Sequence, residues 1–421
     1  MTLAPGTDVI IAGAGPAGAS TAFQLARRGV RVTVVDRARF PRSKPCAECL
    51  SPQTSRLLHD MGALVELEQR GAWLRGMIVR APNGAIARGD YAASHGFRAW
   101  RDAGLSIRRE ILDDVLVARA RAAGAEVVEG TRVTDVLRDG AGSVHGAQLL
   151  DRDGKSRGAR ARLLVGADGL RSVVARRLGL WRRARWPNRL SLVGHYEGVR
   201  DVTDYGEMHI ERDGFVGIAD VGAGITTVAA VFPGSRAPGI SRDRSRFLDA
   251  WLASKAHLRA RFAAARRIDA VAATGPFAAH AKRAWHPGAL LVGDAADFFD
   301  PFTGEGIHAA LRGGELAADV ILNALQHPSD ATDALREYDD RRRHEFGGKW
   351  LVERIIGAGV AFPLVANRAA RAMAARKELA DLLVGVTGDF VPPRMVLRLG
   401  YLARLFVQPL PRIRTTHARH A

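Results

Sequence analysis

Short apolar runs alternate with a helical pattern at the start of the chain. Residues 8–12 form a β-branched apolar run, residues 16–29 follow a helical period that stops at Gly29, and residues 31–35 form a second apolar run that ends in Asp36. Continuous apolar runs of this length are typical of buried parallel strands. The pattern therefore predicts a βαβ unit at the N-terminus.

The pattern changes further along the chain. Helices are predicted over residues 52–70, 108–123, 243–267 and 305–326, and buried strands over residues 126–128, 163–165 and 289–292. Four short alternating segments are separated by Gly, Asp and Pro, at residues 190–197, 206–211, 214–219 and 224–232. Such alternation indicates an antiparallel meander. The remainder, residues 334–421, is predicted to be mostly helical and is broken by prolines.

The first apolar run leads into a glycine-rich turn, G-A-G-P-A-G, at residues 13–18. In such a turn the helix N-terminus and its free N–H groups face a diphosphate, and glycines allow the close approach. Asp36 at the end of the second run suits a ribose 2′-OH and disfavours a 2′-phosphate. The residues predicted to hold the adenosine diphosphate half of a dinucleotide are Gly13, Gly15, Pro16, Ala17, Gly18, Asp36 and Arg37.

Two later segments fit the other end of the same ligand. A Gly-Ala-Asp-Gly segment follows the strand at 163–165, and Gly293-Asp294 ends the strand at 289–292. Residues 301–306 then open a long helix, whose positive end would stabilise charge on the N1/C2=O edge of a reduced flavin. The three segments together predict FAD. The residues predicted to bind it here are Asp168, Gly169, Gly293, Asp294, Pro301, Gly304, Glu305 and Gly306.

The predicted fold class is α/β: a Rossmann-like FAD/NAD(P)-binding domain with an inserted antiparallel β-sheet substrate domain and a helical C-terminal region. The discontinuous FAD-binding domain is predicted over residues 1–70, 101–186 and 276–340. The substrate-binding sheet is predicted over residues 71–100 and 187–275, and the helical region over residues 341–421.

The motifs resemble those of the FAD-dependent monooxygenase superfamily, built like the aromatic hydroxylases, and within it the geranylgeranyl-reductase-like branch. The resemblance implies that Asp168-Gly169 lies near the FAD pyrophosphate and the route of the nicotinamide cofactor. It also implies that Arg109 lies near the FAD diphosphate. Asp297 stands where hydroxylases usually carry His, and residues 301–307 resemble the reductase and halogenase type.

The segment at residues 40–52 also resembles that type, with Ala47 and Cys49 at positions where the family has glycine. Cys46 and Cys49 form C-x-x-C, but a metal site would need two more soft ligands, and none occurs at a useful spacing. The resemblance places Cys46 near the flavin, as a proton donor or as part of the pocket lining; two thiols without a chemical role is the alternative. His308, one turn into the predicted helix, is the second candidate catalytic residue, against the alternative of an ordinary buried histidine.

Three reactions fit these residues. Hydroxylation with O₂ by an NAD(P)H-dependent monooxygenase is the first expectation, and reduction of isoprenoid C=C bonds with Cys46 as the acid is the second. Halogenation is third, because none of the six lysines lies on the predicted substrate strands. A non-catalytic, membrane-associated flavin-binding protein is the alternative from another class. The apolar strands predict a lipophilic small-molecule substrate.

A single glycine fingerprint implies that NAD(P)H would bind transiently, or that a partner reductase would supply reduced flavin. The net charge is +18, and from Arg341 onward the chain has 15 basic and 5 acidic residues. This basic C-terminal region, with the amphipathic segment Met395–Val407, is expected either to contact an anionic membrane surface or to cap the pocket; helices packed on the domain are the alternative. No nucleic-acid-binding motif accompanies the charge, so no nucleic-acid partner is expected. The first residues lack a signal-peptide pattern, which predicts a cytoplasmic and membrane-peripheral protein.

Overall fold

The computed structural model of the protein describes residues 6–410. Its strands are β1 (Val9–Ala12), β2 (Val32–Asp36), β3 (Cys49–Leu50), β4 (Ala72–Leu74), β5 (Gly76–Arg80), β6 (Ile86–Asp90), β7 (Gly104–Ser106), β8 (Glu126–Glu129), β9 (Arg132–Arg138), β10 (Val144–Leu150), β11 (Ser156–Arg160), β12 (Leu163–Gly166), β13 (Trp181–Arg183), β14 (Arg189–Glu197), β15 (Gly206–Glu211), β16 (Gly214–Asp220), β17 (Ile225–Pro233), β18 (Arg266–Arg267), β19 (Ala272–Thr274), β20 (Ala279–Ala281), β21 (Trp285–His286), β22 (Ala289–Leu291) and β23 (Asp297–Phe298). Its helices are α1 (Pro16–Ala26), α2 (Thr54–Asp60), α3 (Leu64–Glu68), α4 (Arg109–Ala122), α5 (Val173–Arg177), α6 (Ala237–Arg242), α7 (Arg244–Ser254), α8 (Ala256–Phe262), α9 (Gly306–Gln326), α10 (Ala331–Val360), α11 (Pro363–Ala375), α12 (Lys377–Thr387), α13 (Arg394–Leu397) and α14 (Leu399–Phe406).

A six-stranded sheet carries the three predicted motif segments. Its strand order is β21-β22-β12-β1-β2-β8, and β1 pairs in parallel with both β12 and β2. β12 also pairs in parallel with β22, whereas β21 and β22 are antiparallel. Because the carboxyl ends of parallel strands meet at one edge, the segments that follow β1, β12 and β22 come together there. This confirms the predicted α/β fold.

Helices α1 and α9, which are far apart in the sequence, pack against this sheet and against each other. The Ser20 Oγ of α1 donates to the Leu311 carbonyl of α9 at 2.8 Å. A Cβ at Gly314 would lie 2.8 Å from Ser20 Oγ, so glycine permits this close approach. The contact fixes the start of α9 beside the glycine turn that opens α1.

The predicted meander forms the centre of a second, larger sheet. Strands β14 to β17 match the four predicted segments to within two residues, and the sheet order is β18-β14-β17-β16-β15-β5-β6, with β19 paired to β14. The expectation of an antiparallel sheet is wrong at one pair, because β5 runs parallel to β15. The two strands are far apart in sequence, so no hairpin constrains their direction. The division into domains at the predicted boundaries stays a prediction.

Several predicted helices are interrupted. The helix predicted over residues 52–70 is two short helices, α2 and α3, separated near Gly62, which has a φ of +69°. The helix predicted over 243–267 breaks at Lys255 into α7 and α8, and residues 266–267 form a strand. The C-terminal region is helical as far as it is described, from α10 to α14. Residues 411–421 of that prediction lie outside the described residues.

The C-terminal helices also bear on the membrane expectation. Within residues 6–410, no single helix is long and apolar enough to cross a membrane. The segments Pro328–Val360 and Pro363–Ala375 pass a length and composition criterion only as a pair, with a bend of 112° between them.

Candidate active site

The glycine turn after β1 is fixed by steric contacts with neighbouring backbone. Gly13 has a φ of +98°, and a Cβ there would lie 2.5 Å from the Ala167 carbonyl oxygen. A Cβ at Gly18 would lie 1.8 Å from the Gly13 carbonyl oxygen. At Gly15 the nearest atom is a nitrogen of the flexible Arg42 side chain at 3.5 Å. Gly13 and Gly18 therefore shape the turn, and Gly15 leaves its backbone open to the cavity.

Asp36 braces the same turn. Its carboxylate accepts hydrogen bonds from the Ala14 N–H and from the Ala38 N–H, both at 2.8 Å. The neighbouring Arg37 is exposed. The position of Asp36 at the end of β2 is the one predicted for ribose recognition. That role stays a prediction, as does a contact of Arg37 with the cofactor.

The second segment leaves one buried oxygen without a partner. One Asp168 oxygen accepts from the Val173 N–H at 2.6 Å and the Val174 N–H at 3.3 Å, which anchors α5. The other oxygen, Oδ1, is buried and has no hydrogen-bond partner among the described residues. Gly169, with a φ of +78°, lines the cavity. This segment thus offers an acceptor beside the glycine turn.

The third segment places a helix start at the cavity. Gly293 has a φ of +62°, and a Cβ there would lie 2.8 Å from the Ala17 side chain. Asp294 lies 3.7 Å from the Lys44 ammonium. Gly304, with a φ of +74°, has nothing within 4 Å of a built Cβ, and α9 then begins at Gly306 without a side-chain cap. Open backbone at the start of a helix suits an anionic or electron-rich group.

Arg109 is held by a buried ion pair. Its Nε and Nη2 atoms donate to the two Asp113 oxygens at 2.9 and 2.8 Å. Arg42 reaches the same carboxylate at 2.8 Å. Arg109 is buried and lines the cavity, and its contact with the FAD diphosphate stays a prediction.

One cavity collects most of the predicted residues. Those that line it are Gly15, Pro16, Ala17, Cys46, Arg109, Gly169, Gly293, Asp294, Pro301, Gly304, Glu305, Gly306 and His308. Those set back from it are Gly13, Gly18, Asp36, Arg37 and Asp168. The open backbone at Gly15 and Gly304, the uncapped helix starts of α1 and α9, and the free Asp168 oxygen fit the phosphates, hydroxyls and ring edge of FAD.

Comparison with known proteins agrees with this fit. The model of a family described as "FAD binding domain" matches residues 6–347. The chain belongs to this family. Digeranylgeranylglycerophospholipid reductase 2 of Methanopyrus kandleri is 30% identical over 396 residues, covering 91% of this chain and 93% of that protein. Conditioned medium factor receptor 1 of Dictyostelium discoideum is 27% identical, covering 90% of this chain and 76% of that protein.

Solved structures share the fold. A flavoprotein/dehydrogenase from Cytophaga hutchinsonii has a TM-score of 0.80 at 20% identity, covering 91% of this chain and 92% of that one. The myxobacterial chondrochloren halogenase CndH has a TM-score of 0.77 at 24% identity, covering 86% and 85%. PqsL of P. aeruginosa has a TM-score of 0.65 at 25% identity, covering 89% and 98%. The chain is an FAD-dependent oxidoreductase; its reaction is a separate question.

In this FAD-binding family member, Cys46 lies on the cavity wall. Its Sγ accepts from the Glu48 N–H at 3.4 Å. Cys49 is also a free thiol, and burial raises its pKa to about 12. Cys49 lines the same cavity, but its raised pKa disfavours the thiolate. The catalytic role of Cys46 stays a prediction.

A hydrogen-bonded chain beside Cys46 is not among the predicted site residues, because no motif surrounds His195 in the sequence. The buried Glu48 Oε2 lies 2.8 Å from His195 Nε2, and His195 Nδ1 lies 2.5 Å from Asp269 Oδ2. Burial disfavours a charged imidazole, but the hydrogen bonds that the ring donates to the Asp269 and Glu48 carboxylates outweigh this effect of burial. Together they raise the pKa of His195 to about 9. Glu48 lines the cavity, and the Asp269 side chain is 31% exposed. We name this chain the Glu48 relay.

Glu48 is held in an unusual backbone conformation. Its φ is +64°, in the left-handed region that most residues avoid. Its Oε1 atom accepts from the Arg109 N–H at 2.7 Å, at the start of α4. Such strain is often retained where a side chain must be positioned for function. The family has glycine at the neighbouring positions 47 and 49. Glycine would adopt the same positive φ easily, but it would place no carboxylate at the cavity.

His308 is part of a second buried polar cluster. Its Nδ1 lies 3.3 Å from Thr54 Oγ1 and 3.6 Å from an Asp389 oxygen. Burial lowers the pKa of His308 well below its usual value, so the imidazole is neutral. Asp389 also pairs with Lys349, which α10 brings to the cavity. Burial raises the pKa of Glu305 to about 7.

This cluster corrects one step of the sequence argument. No lysine was expected near the substrate because none lies on the substrate strands, yet Lys349 reaches the cavity from a C-terminal helix. No local motif surrounds Lys349, and its position depends on how α10 crosses the two sheets.

Proposed function

We propose that this FAD-dependent oxidoreductase reduces carbon–carbon double bonds in an isoprenoid-type lipophilic substrate. The observation that carries the proposal is the Glu48 relay, which connects the cavity wall beside Cys46 with the partly exposed Asp269 carboxylate. Reduction of an alkene consumes one proton at each turnover, so a supply route is needed. The similarity to relatives named digeranylgeranylglycerophospholipid reductases supports the same reaction class.

The substrate side of the cavity is apolar. The residues of the large sheet that line it carry no ionisable side chain; they are Ser191, Val193, Met208, Phe215, Gly217, Ala229, Val231 and Thr274. Phe277 and Phe298 extend this surface. An apolar wall of this kind suits a hydrocarbon chain, and it also excludes water from the reacting carbons.

When bound, FAD would supply the hydride that reaches one alkene carbon. We propose that the Cys46 thiol donates the proton to the other carbon. The Glu48 N–H, 3.4 Å from Cys46 Sγ, then stabilises the thiolate that forms. The His195 imidazolium passes its Nε2 proton to Glu48 Oε2 and keeps the Nδ1 proton that it donates to Asp269. The Glu48 carboxyl then reprotonates the thiolate, and a proton from solvent restores the charged imidazole. NAD(P)H, bound transiently, or a partner reductase is the proposed source of electrons.

The test is an anaerobic single turnover. FAD-loaded protein is reduced with dithionite and mixed with a detergent-dispersed geranylgeranyl glycerolipid. We expect the flavin absorbance near ~450 nm to return and the product to gain two hydrogens by mass. Absence of reoxidation across geranylgeranyl lipids would overturn the proposal.

Two variants test the proton route in the same experiment. Cys46→Ser is expected to slow reoxidation by ~10²–10⁴-fold, which is the usual size of a general-acid contribution. Glu48→Gln is expected to slow it and to shift its pH dependence. Cys49→Ser, three residues from Cys46 in the same segment, is the matched control and should react at the wild-type rate. An unchanged rate in Cys46→Ser would remove the thiol from the route.

Hydroxylation is the second candidate. The apolar, phenylalanine-lined cavity favours it, because oxygenation by reduced flavin also requires that water be excluded. PqsL, described as a probable FAD-dependent monooxygenase, shares the fold. Under air, substrate-stimulated O₂ uptake with a product that gains one oxygen would identify this reaction. Anaerobic reoxidation by the substrate would instead identify reduction.

A further inference from the structure

A second opening lies at the outer end of the large sheet. Its volume is about 340 Å³, and its walls come from the segment before β14, from β16 and β17, and from the junction of α10 and α11. Phe215 and Val231 line both this opening and the flavin cavity. The two spaces therefore share an apolar wall.

A single buried ion pair stands between the two spaces. Arg189 lines the second opening, and its Nη1 donates to the Asp300 carboxylate at 2.6 Å. Asp300 lines the flavin cavity. The Arg189 Nη2 also donates to the Gly357 carbonyl of α10 at 3.0 Å. The ion pair and the two shared apolar side chains, Phe215 and Val231, therefore lie between the second opening and the flavin cavity.

Exposed apolar side chains are concentrated around this opening and on the helices beside it. Of the twelve large apolar side chains exposed among the described residues, eight lie between Leu351 and Val407. Trp186, which lines the opening, is a ninth. Leu364 is 84% exposed and directly follows Pro363, which also lines the opening. Leu399 is 85% exposed and Phe406, seven residues on, lies on the same face of α14.

Hydrogen bonds connect α11 with this face of α14. Arg368, one turn after Leu364, donates from Nε to the Phe406 carbonyl at 3.2 Å. This bond places α11, one turn after Leu364, beside the Phe406 end of α14, and the exposed face of α14 also carries Leu399. Patches of exposed apolar side chains mark binding sites more often than they mark ordinary protein surface.

The same surface carries positive charge that is not neutralised. Arg376 donates to the carbonyl oxygens of Arg404 and Pro409, so within residues 6–410 its partners and those of Arg368 are main-chain carbonyls and not carboxylates. Arg371 and Arg398 are exposed. Apolar side chains interspersed with unpaired arginines are the pattern of a surface that binds anionic lipid. Binding of a protein partner would not require this excess of positive charge.

We infer that Trp186, Phe362, Leu364, Leu399, Phe406 and Val407, with Arg368, Arg371 and Arg398, form a docking surface for an anionic lipid bilayer. The second opening then admits the hydrocarbon chain of a lipid from the bilayer toward the flavin cavity. This inference rests on the proposed function for the nature of the substrate, but not for the binding itself.

The docking surface is tested by cosedimentation with vesicles. Full-length, FAD-loaded protein is mixed with phosphatidylcholine vesicles that contain either no phosphatidylglycerol or one third of it. We expect binding to the anionic vesicles that falls at least tenfold in 0.5 M NaCl. The double variant Leu364→Asp/Leu399→Asp should lose binding by at least tenfold and keep its flavin absorbance.

Val65→Asp is the matched control, because Val65 is 66% exposed on α3, outside the docking surface. It should bind like the wild type. Equal binding of the Leu364/Leu399 variant and the wild type would overturn the inference. A dimer in solution that the double variant dissociates would also overturn it, since a second copy would then cover the surface.

The route through the opening has its own variant. Ala361 lines the opening and is exposed, so Ala361→Trp should obstruct it without altering vesicle binding. Turnover of a geranylgeranyl lipid in vesicles should fall at least tenfold relative to wild type, whereas turnover of a short water-soluble isoprenoid should not. Equal turnover of the vesicle lipid would overturn the route. Vesicle binding without reduction of any isoprenoid would count against the proposed function alone.

Discussion

Two walls of the flavin cavity are built on different principles. The nucleotide wall consists of residues 13–18, 166–169 and 293–306, where glycine backbone leaves space and helix starts face the cavity. The acid–base wall consists of Cys46, Glu48, Lys349 and Asp389, with His195 hydrogen-bonded behind Glu48. These side chains come from four separate parts of the chain. Backbone geometry determines the first wall and long-range side-chain contacts determine the second. Short local motifs in the sequence can therefore reveal the cofactor, whereas the reaction depends on contacts between elements that are far apart in the sequence.

The largest expected effect comes from breaking the nucleotide wall. A Cβ at Gly18 would lie 1.8 Å from the Gly13 carbonyl oxygen, and backbone cannot move away as a flexible side chain can. We expect Gly18→Ala to distort the turn, at a cost of about 3 kcal/mol or more, and to abolish retention of FAD. Flavin absorbance of the purified protein and its recovery on adding FAD measure this.

Gly347→Ala is the control for that substitution. Gly347 lies within α10 and has nothing within 4 Å of a built Cβ. Alanine favours a helix by up to about 1 kcal/mol over glycine, so this variant should be slightly more stable than wild type and retain FAD. Full FAD binding by Gly18→Ala would show that the turn tolerates a side chain and that the steric account of the nucleotide wall is wrong.

The sequence was sufficient to predict the nucleotide wall for a physical reason. Each of its segments follows a buried strand, and parallel strands deliver their carboxyl ends to one edge. The helix expected from residue 305 begins at Gly306, and the meander strands lie within two residues of their predicted positions. Periodicity, glycine and aspartate carry this information within windows of a few residues.

The acid–base wall left no comparable signal. Glu48 and His195 are 147 positions apart, and neither belongs to a recurring pattern. His308 was identified only because it follows a motif, and Lys349 was dismissed because it is absent from the substrate strands. The path of α10 across the molecule determines that contact, and α10 carries no site motif. The reaction was therefore harder to predict than the cofactor.

The Glu48 relay, which belongs to the acid–base wall, should make the stability of the protein depend on pH. Because the pKa of His195 is raised to about 9 from an unfolded value near 6.5, its charged form stabilises the fold. That contribution is fully present below pH ~6.5 and is lost as the pH rises through ~9. We expect the difference in unfolding free energy between wild type and His195→Gln to shrink by ~2–3 kcal/mol between pH 6 and pH 10, measured by urea unfolding.

His257→Gln provides the reference for this measurement. Burial lowers the pKa of His257 to about 4, so His257 is neutral throughout that pH range. At pH 6 the unfolded imidazole is partly charged, so the substitution removes a cost of about 1 kcal/mol there, whereas from pH ~8 to pH 10 it should change stability by the same amount at each pH. A His195→Gln difference that is equally flat would mean that the His195 imidazole is uncharged in the folded protein, and the relay would then lack its central proton.

The smallest expected effect separates the two cysteines, Cys46 and Cys49, which both line the cavity. Burial raises the pKa of Cys49 to about 12, so its thiolate fraction at pH 8 is only ~10⁻⁴. Both cysteines are half-buried as whole residues, and the burial of the Cys49 thiol is what distinguishes them. We expect iodoacetamide at pH 8 to modify one thiol per chain, with Cys49→Ser labelled like wild type and Cys46→Ser left unlabelled on the same timescale, as read by intact mass. Because Cys46 shares the cavity with the residues that fit FAD, labelling should also slow when FAD is bound. Equal labelling with and without FAD would place Cys46 away from the flavin and would leave Glu48 as the acid nearest the substrate.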